Sequence, residues 1–388
     1  WCRSRSRPGT GSGAPVAPER LHIAVLPGDG IGPEVTGPCL EALDAVQDVV
    51  GGFSLDYERL EAGAGLYAAT GESLPAETVR QAEAADAIFL GAMGMPDIRY
   101  PDGTEISPQL DLRERFELFA GIRPVKALEG LPPSLADPRA ADIDFVIVRE
   151  STEGLFAARG RTVLEGTAAA RDTMVITRPA CERLFHAAFR LARRRRERGH
   201  PGTVTCVDKA NVLGGFAYFR GIFDEIAEQY PDVGAERAYV DATGLNLIKK
   251  PWAFDVLVTE NMFGDILSDV GAGLVGGMGL APSGDIGDTH AVFQPCHGSA
   301  PDIAGHGKAN PTATLLSGAM MLDGLGERRG LGACEKGARL LTQAVAHAFA
   351  PGDLVPFELG GEAGTSAISR RVLEGVRHHE VRRGVEES

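Results

Sequence analysis

No two of the six cysteines (Cys2, Cys39, Cys181, Cys206, Cys296 and Cys334) form a CxxC pair. Their scatter excludes a zinc ribbon and a secreted disulfide framework, and fits free thiols in a reducing, cytoplasmic compartment. Positive charge is also scarce. The formal net charge of −14 disfavours nucleic acid as a partner, because phosphates are repelled. No apolar run approaches the roughly 18 residues that a membrane span needs, so no membrane partner is expected. Lysine is used sparingly (Lys126, Lys209, Lys249, Lys250, Lys308 and Lys336). A lysine inside a motif therefore stands out, since lysine, unlike arginine, can lose its proton.

What is present suits a globular protein of two domains. The 388 residues are 44% hydrophobic and 24% charged, enough for cores that need no disulfide staples. Residues 1–20 are rich in Arg, Ser, Gly and Pro without apolar periodicity, and read as a disordered leader. Short apolar strands follow at Leu21–Leu26, Ala87–Leu90, Asp144–Val148, Met174–Thr177, Val204–Val207, Arg237–Val240 and Asp255–Thr259. Amphipathic helices alternate with them, one from about Pro33 and one over Pro179–Gly199. That alternation predicts an α/β fold. The basic run Arg193–Arg196 ends a helix, where cations complement the dipole and are expected to sit in solvent.

Five segments carry candidate chemistry. Gly28-Asp-Gly-Ile-Gly32 follows the first strand, but its spacing is not GxGxxG, because Pro33 stands where the last glycine belongs; alone it is weak evidence for a dinucleotide site. Arg113, Arg123 and Arg149 each end or follow an apolar segment. They suit bidentate carboxylate binding, with structural ion pairs to Glu114, Glu117 or Glu150 as the alternative. Asp265 and Asp269 are four apart, on one face if helical, and with Asp241 make an oxygen-only donor set suited to Mg²⁺ or Mn²⁺; two solvated helix-face acids are the alternative. Lys209, between Asp208 and Asn211, is a candidate proton acceptor or a surface lysine paired with its neighbour. The loop from Pro295 to Gly305 carries His297 and Asp302 and leads to Asn310. Asp302 could accept both hydroxyls of an adenosine ribose and repel a 2′-phosphate, favouring NAD over NADP.

Together these segments resemble the metal-dependent β-decarboxylating dehydrogenases that act on isocitrate, isopropylmalate, homoisocitrate and tartrate. The matching stretches are VLPGDGIGPEV (25–35), LR…FAGIRPVK (112–126), VRESTEG (148–154), DTMVITRP (172–179), VDKANVL (207–213), YVDATGLNLIKKP (239–251), VTENMFGDILSD (258–269), HGSAPDIAG (297–305) and ANPTATLLSGAMML (309–322). They run in family order through most of residues 21–325. The resemblance implies a two-domain, isopropylmalate-dehydrogenase-like α/β fold, not a Rossmann fold, with a cleft between domains. By position, 21–118 and 276–388 form a large domain with the NAD-binding loop, and 119–275 a smaller one with a homodimer interface.

The resemblance also implies roles. Arg113, Arg123 and Arg149 hold the malate carboxylates, with Ser107 and Gln109 nearby. Asp241, Asp265 and Asp269 are the Mg²⁺ or Mn²⁺ ligands. Lys209, with Asp241, serves catalysis, both being lent to the neighbouring subunit. Ile31, His297, Gly298, Ser299, Ala300, Asp302 and Asn310 hold NAD. The implied reaction is NAD-dependent oxidation of a 2-hydroxy acid followed by loss of CO₂.

Three departures qualify this. Phe156 stands where the family carries a tyrosine that helps protonate the enol. Either another acid or water serves, or the substrate needs no such proton, or oxidation proceeds with little decarboxylation. In Ile106-Ser107-Pro108-Gln109-Leu110, Ser107 and Gln109 replace leucines that an isopropyl group would want, which points to a polar γ-substituent. Gln294 replaces a glutamate common before the HGSAP loop. A non-catalytic regulatory subunit is the alternative of another class, but such subunits usually lose the metal or lysine residues kept here. A generic Rossmann reductase would leave the carboxylates unexplained.

Overall fold

The computed structural model describes the backbone of residues 18–386 and side chains as far as His378. The expected leader thus lies outside the described residues except for its end, where Glu19 and Arg20 already belong to the first strand. The chain separates into two compact units. The first holds the chain up to Phe116, Leu128–Pro132 and everything from Gly276 onward; the second holds Glu117–Ala127 and Pro133–Val275.

The first unit opens with β1 (Glu19–Gly28), α1 (Gly32–Val50), β2 (Phe53–Arg59), α2 (Ala64–Thr70), α3 (Ala76–Ala84), β3 (Ala87–Ala92) and α4 (Pro108–Arg115). The second unit supplies β4 (Ala120–Lys126), β5 (Asp144–Glu150), β6 (Val163–Glu165), β7 (Ala169–Arg171), α5 (Arg178–Glu197), β8 (Thr203–Asp208), α6 (Gly214–Ala227), β9 (Gly234–Tyr239), α7 (Val240–Lys249), β10 (Val256–Thr259) and α8 (Asn261–Leu274). The chain then returns to the first unit with β11 (Pro282–Ile286), β12 (Ala291–Pro295), α9 (Thr312–Arg329), α10 (Gly332–Phe349) and α11 (Thr365–Glu386).

In the first unit the strand order is β2-β1-β3-β12-β11, parallel except for the β11–β12 pair. The apolar run of β1 explains its central place: Leu21, Ile23 and Val25 enter a core with Phe89, Phe293, Leu322 and Phe349, and both faces are covered. In the second unit the order is β4-β5-β10-β8-β9, parallel except for β4–β5. Phe145, Ile147, Val207 and Leu257 pack against Leu247, Leu267 and Leu274 from α7 and α8. On α5 and α6, Phe185, Phe189, Phe219 and Phe223 stack and meet edge-on with centroids 4.7–5.4 Å apart. Among the described residues no helix is long and apolar enough to cross a membrane.

Two expectations need correction. Met174–Thr177 is not a strand: only Val175 bridges, to Gly154. Thr177 instead caps α5, accepting from Ala180 N, with Pro179 in the first turn. Nor does all of the Arg193–Arg196 run sit in solvent. Arg195 is largely buried, with Nε 2.6 Å from Asp255 Oδ1 and Nη2 3.0 Å from Asp144 Oδ1. Asp255 is buried and Asp144 half-buried at their strand starts, and the shared guanidinium offsets the desolvation of both.

Candidate active site

In the second unit, β5 delivers Arg149 to the sheet end, where α8 crosses it. Arg149 is 3% exposed. Its Nε and Nη2 donate to Asn261 Oδ1 at 3.0 and 2.8 Å, and its Nη1 pairs with Asp265. The close approach depends on Gly264, where a Cβ would lie 2.6 Å from Arg149 Cγ. Asp265 and Asp269 share α8, as their spacing predicts. Burial and the Asp265 charge push the Asp269 carboxyl above its usual range, while Arg123 and Arg149 pull it down. Arg123, on β4, is itself buried. Two carboxylates and two guanidiniums thus occupy one end of this unit.

The segment after β5 is fixed by three acids, of which the sequence singled out only Glu150, and that as an ion-pair partner. Glu150 accepts from Thr152 N and Oγ1 and from Glu153 N at 2.6–2.7 Å. Glu153 accepts from Thr177 N and Oγ1, and Glu260 accepts from Leu155 N at 3.0 Å. These clamps set Phe156, whose ring centroid lies 5.2 Å from the Arg149 guanidinium carbon. Lys209 Nζ donates to Asp241 Oδ1 at 2.7 Å, and that ammonium holds the Asp241 carboxyl below its usual range. Asp241 stands in the first turn of α7, largely exposed, so it is a helix residue rather than a strand end.

In the first unit, Arg113 on α4 is buried and pairs with Asp285 Oδ2 on β11 at 3.0 Å. Arg113 Nε and Gln109 Oε1 are buried without a hydrogen-bond partner among the described residues. Ser107 precedes α4, its Oγ 3.4 Å from Glu105 O. The ion-pair alternative weighed for these arginines named the wrong acids: Asp285 and Asp265, distant in sequence, do the pairing for Arg113 and Arg149.

The loop expected to hold NAD meets the turn after β1. Ile31 N donates to Ser299 O at 2.8 Å, and a Cβ at Gly30 would fall 2.0 Å from that oxygen. Ser299 Oγ bonds Gly94 O. Glu34 on α1 pins the loop's far end, accepting from Gly305 N at 2.9 Å and Thr365 Oγ1 at 2.6 Å. His297 Nδ1 lies 2.9 Å from Gly298 O, so it carries the proton; burial pushes the ring's pKa down, leaving Nε2 a bare, buried acceptor. Gly298 and Asp302 are exposed, and Ala300 has the positive φ of 35° that the tight turn imposes. Asn310 is already engaged: it donates to Glu358 Oε1 at 2.6 Å and accepts from Thr312 N and Oγ1.

The sequence model of a family described as isocitrate/isopropylmalate dehydrogenase matches residues 22–372. The chain belongs to that family. It is a β-decarboxylating dehydrogenase, and its mixed α/β fold is that of its relatives. This dehydrogenase is 45% identical over 356 residues to the 3-isopropylmalate/3-methylmalate dehydrogenase of Methanocaldococcus jannaschii, covering 92% of this chain and 98% of that one. It is 40% identical to the isocitrate/homoisocitrate dehydrogenase of Thermus thermophilus, again over 92% and 98% of the two chains. The crystal structure of isocitrate dehydrogenase from Methylococcus capsulatus superposes with a TM-score of 0.80 at 36% identity, covering 92% of this chain and 99% of that one.

The donors of the second unit fit a hard divalent cation. Asp265 and Asp269 offer only oxygen; burial first, and the Asp265 charge second, raise the Asp269 carboxyl, and a bound cation would offset both. Among the described residues no three His, Cys, Asp or Glu side chains gather into a metal-holding group. The first unit fits NAD: a bare His297 Nε2 awaits a donor such as an adenine amino group, and the exposed Asp302 carboxylate suits ribose hydroxyls.

Proposed function

We propose that this dehydrogenase oxidises a 3-substituted malate with a polar substituent, using NAD and Mg²⁺ or Mn²⁺, and releases the β-carboxylate as CO₂. The observation that carries the reading is the interleaving of Arg123 and Arg149 with Asp265 and Asp269: cations for substrate carboxylates beside an oxygen-only acidic pair. Arg113, Arg123 and Arg149 bind and orient the carboxylates, which fixes the hydroxyl-bearing carbon. Lys209, as the neutral amine, accepts the hydroxyl proton, and Asp241 Oδ1, 2.7 Å from its Nζ, orients the nitrogen and stabilises the ammonium that forms. Asp265, Asp269 and Asp241 of a second copy of the chain would hold the divalent cation, which would supply Lewis acidity for the oxidation and the loss of CO₂. Ile31, His297, Gly298, Ser299, Ala300, Asp302 and Asn310 would hold NAD, which would supply the hydride acceptor.

Two observations support finer points. The buried, unpartnered Gln109 Oε1, beside Ser107, favours a substrate that donates a hydrogen bond, such as a hydroxyl-bearing malate. Val212, Leu213, Leu245, Ile248 and Ile266 are 47–66% exposed around Lys209 and Asp241, and a homodimer would cover them. Phe156 favours a second reading, oxidation with incomplete decarboxylation, because its ring has no proton to give. A panel of malates (D-malate, tartrate, isocitrate, 3-isopropylmalate) with Mn²⁺ and either NAD⁺ or NADP⁺ tests both. The expected result is NAD⁺ reduction, fastest with a polar malate and matched mole for mole by CO₂. Preference for NADP⁺ would overturn the Asp302 reading, and preference for 3-isopropylmalate the polar one.

A further inference from the structure

Asp285 is a fully buried acid that the chemistry above does not use. It lies on β11 opposite Val292 of β12, and Gln294 is two residues further along that strand. Antiparallel neighbours at this diagonal share a face, and a long side chain spans the gap. Gln294 Nε2 donates to Asp285 Oδ2 at 2.9 Å, and Arg113 Nη2 donates to the same oxygen at 3.0 Å. All three side chains are under a tenth exposed. Gln294 is held from behind, its carbonyl accepting from Ser283 Oγ and Ser317 Oγ at 2.8 Å.

The charge balance is simple. One guanidinium and one carboxylate cancel, and the amide adds no charge but donates a bond. A carboxylate at 294 would face Asp285 away from water, so the two acids would either share a proton that competes with Arg113 Nη2 for Asp285 or leave the group net negative where a substrate carboxylate must arrive. An amide at 285 would leave a buried guanidinium without its counter-charge. With Asp285 holding Nη2, the buried Arg113 Nε remains available.

Resting on the function proposed above, we infer that Asp285 is the positioning residue for Arg113: with Gln294 as its obligatory amide donor it holds one edge of the guanidinium and aims Nε at a substrate carboxylate. The glutamine at 294, a departure from the family's glutamate, is thereby matched to an acid at 285.

The test uses the full chain with NAD⁺, Mn²⁺ and D-malate, which carries the carboxylates and hydroxyl common to the substrate class. Asp285→Asn and Gln294→Glu are each expected to raise the KM for D-malate about tenfold or more, as loss of a charge-assisted hydrogen bond does, with kcat within about threefold. The double variant Asp285→Asn/Gln294→Glu restores one acid and one amide, and should bring KM back to within about threefold of the original. Gln294→Met, which removes the donor without adding charge, serves if Gln294→Glu does not fold, and should also raise KM. Single variants with unchanged KM, a lowered Tm as the sole effect, or a double variant whose loss is the product of the two singles would each overturn the inference. An unaltered enzyme that turns over none of the malate panel overturns the functional reading and this inference together.

Discussion

Arg149 shows how much one side chain must satisfy here. Three of its nitrogens already have partners, and its flat face lies over Phe156. That makes position 156 sensitive to a single oxygen. Phe156→Tyr keeps the ring and adds a proton donor, and positioned donors contribute about 10²-fold or more where protonation limits the rate. We expect the variant to raise kcat with the KM for NAD⁺ unchanged. A kcat equal to that of the original enzyme would show that another group already protonates the enol. At this scale the sequence revealed the charged residues, because an arginine or aspartate at the end of an apolar run is conspicuous. It did not reveal what holds them. Asn261 lies 112 residues from Arg149, and Glu34 lies 271 residues from Gly305; contacts that distant leave no local pattern.

At the scale of elements, α8 was legible and Met174–Thr177 was not. The i,i+4 acids and apolar neighbours of α8 agree with its helical period. The Met174–Thr177 run is β-rich, but its extended backbone leads into a cap instead of a ladder, a choice made by Pro179 and by Glu153. β4 and β11 were passed over because each breaks its apolar run with glycine, proline or a buried charge, and β12 because its run, Ala291-Val-Phe, is only three residues long. The helix also offers a direct contrast. At Gly264 a Cβ would strike the Arg149 side chain and come within 3.2 Å of its Cα, whereas at Gly273, on the same helix, it would meet nothing within 4 Å. Gly264→Ala is expected to destabilise by about 1–3 kcal/mol through overpacking and to raise the KM for the malate. Gly273→Ala should be neutral or stabilise by up to about 1 kcal/mol. Denaturant melts of the two variants check this, and equal stabilities would contradict the packing described for Arg149.

At the scale of the whole molecule, the family follows from motifs in order, and the α/β architecture from strand–helix alternation. Among the described residues no third acid gathers beside Asp265 and Asp269. Asp241 stands instead with Lys209, and Val212 near Lys209 in the chain and Leu245, one turn along α7 from Asp241, are exposed. In the function proposed above, Asp241 of a second copy completes the acidic set around a divalent cation that turnover requires. Exhaustive chelation measures that requirement most directly, with NADH formation and CO₂ release followed in the same sample. The account predicts that both cease on chelation and return together when Mn²⁺ is restored. Turnover that survives complete removal of divalent cations would contradict it.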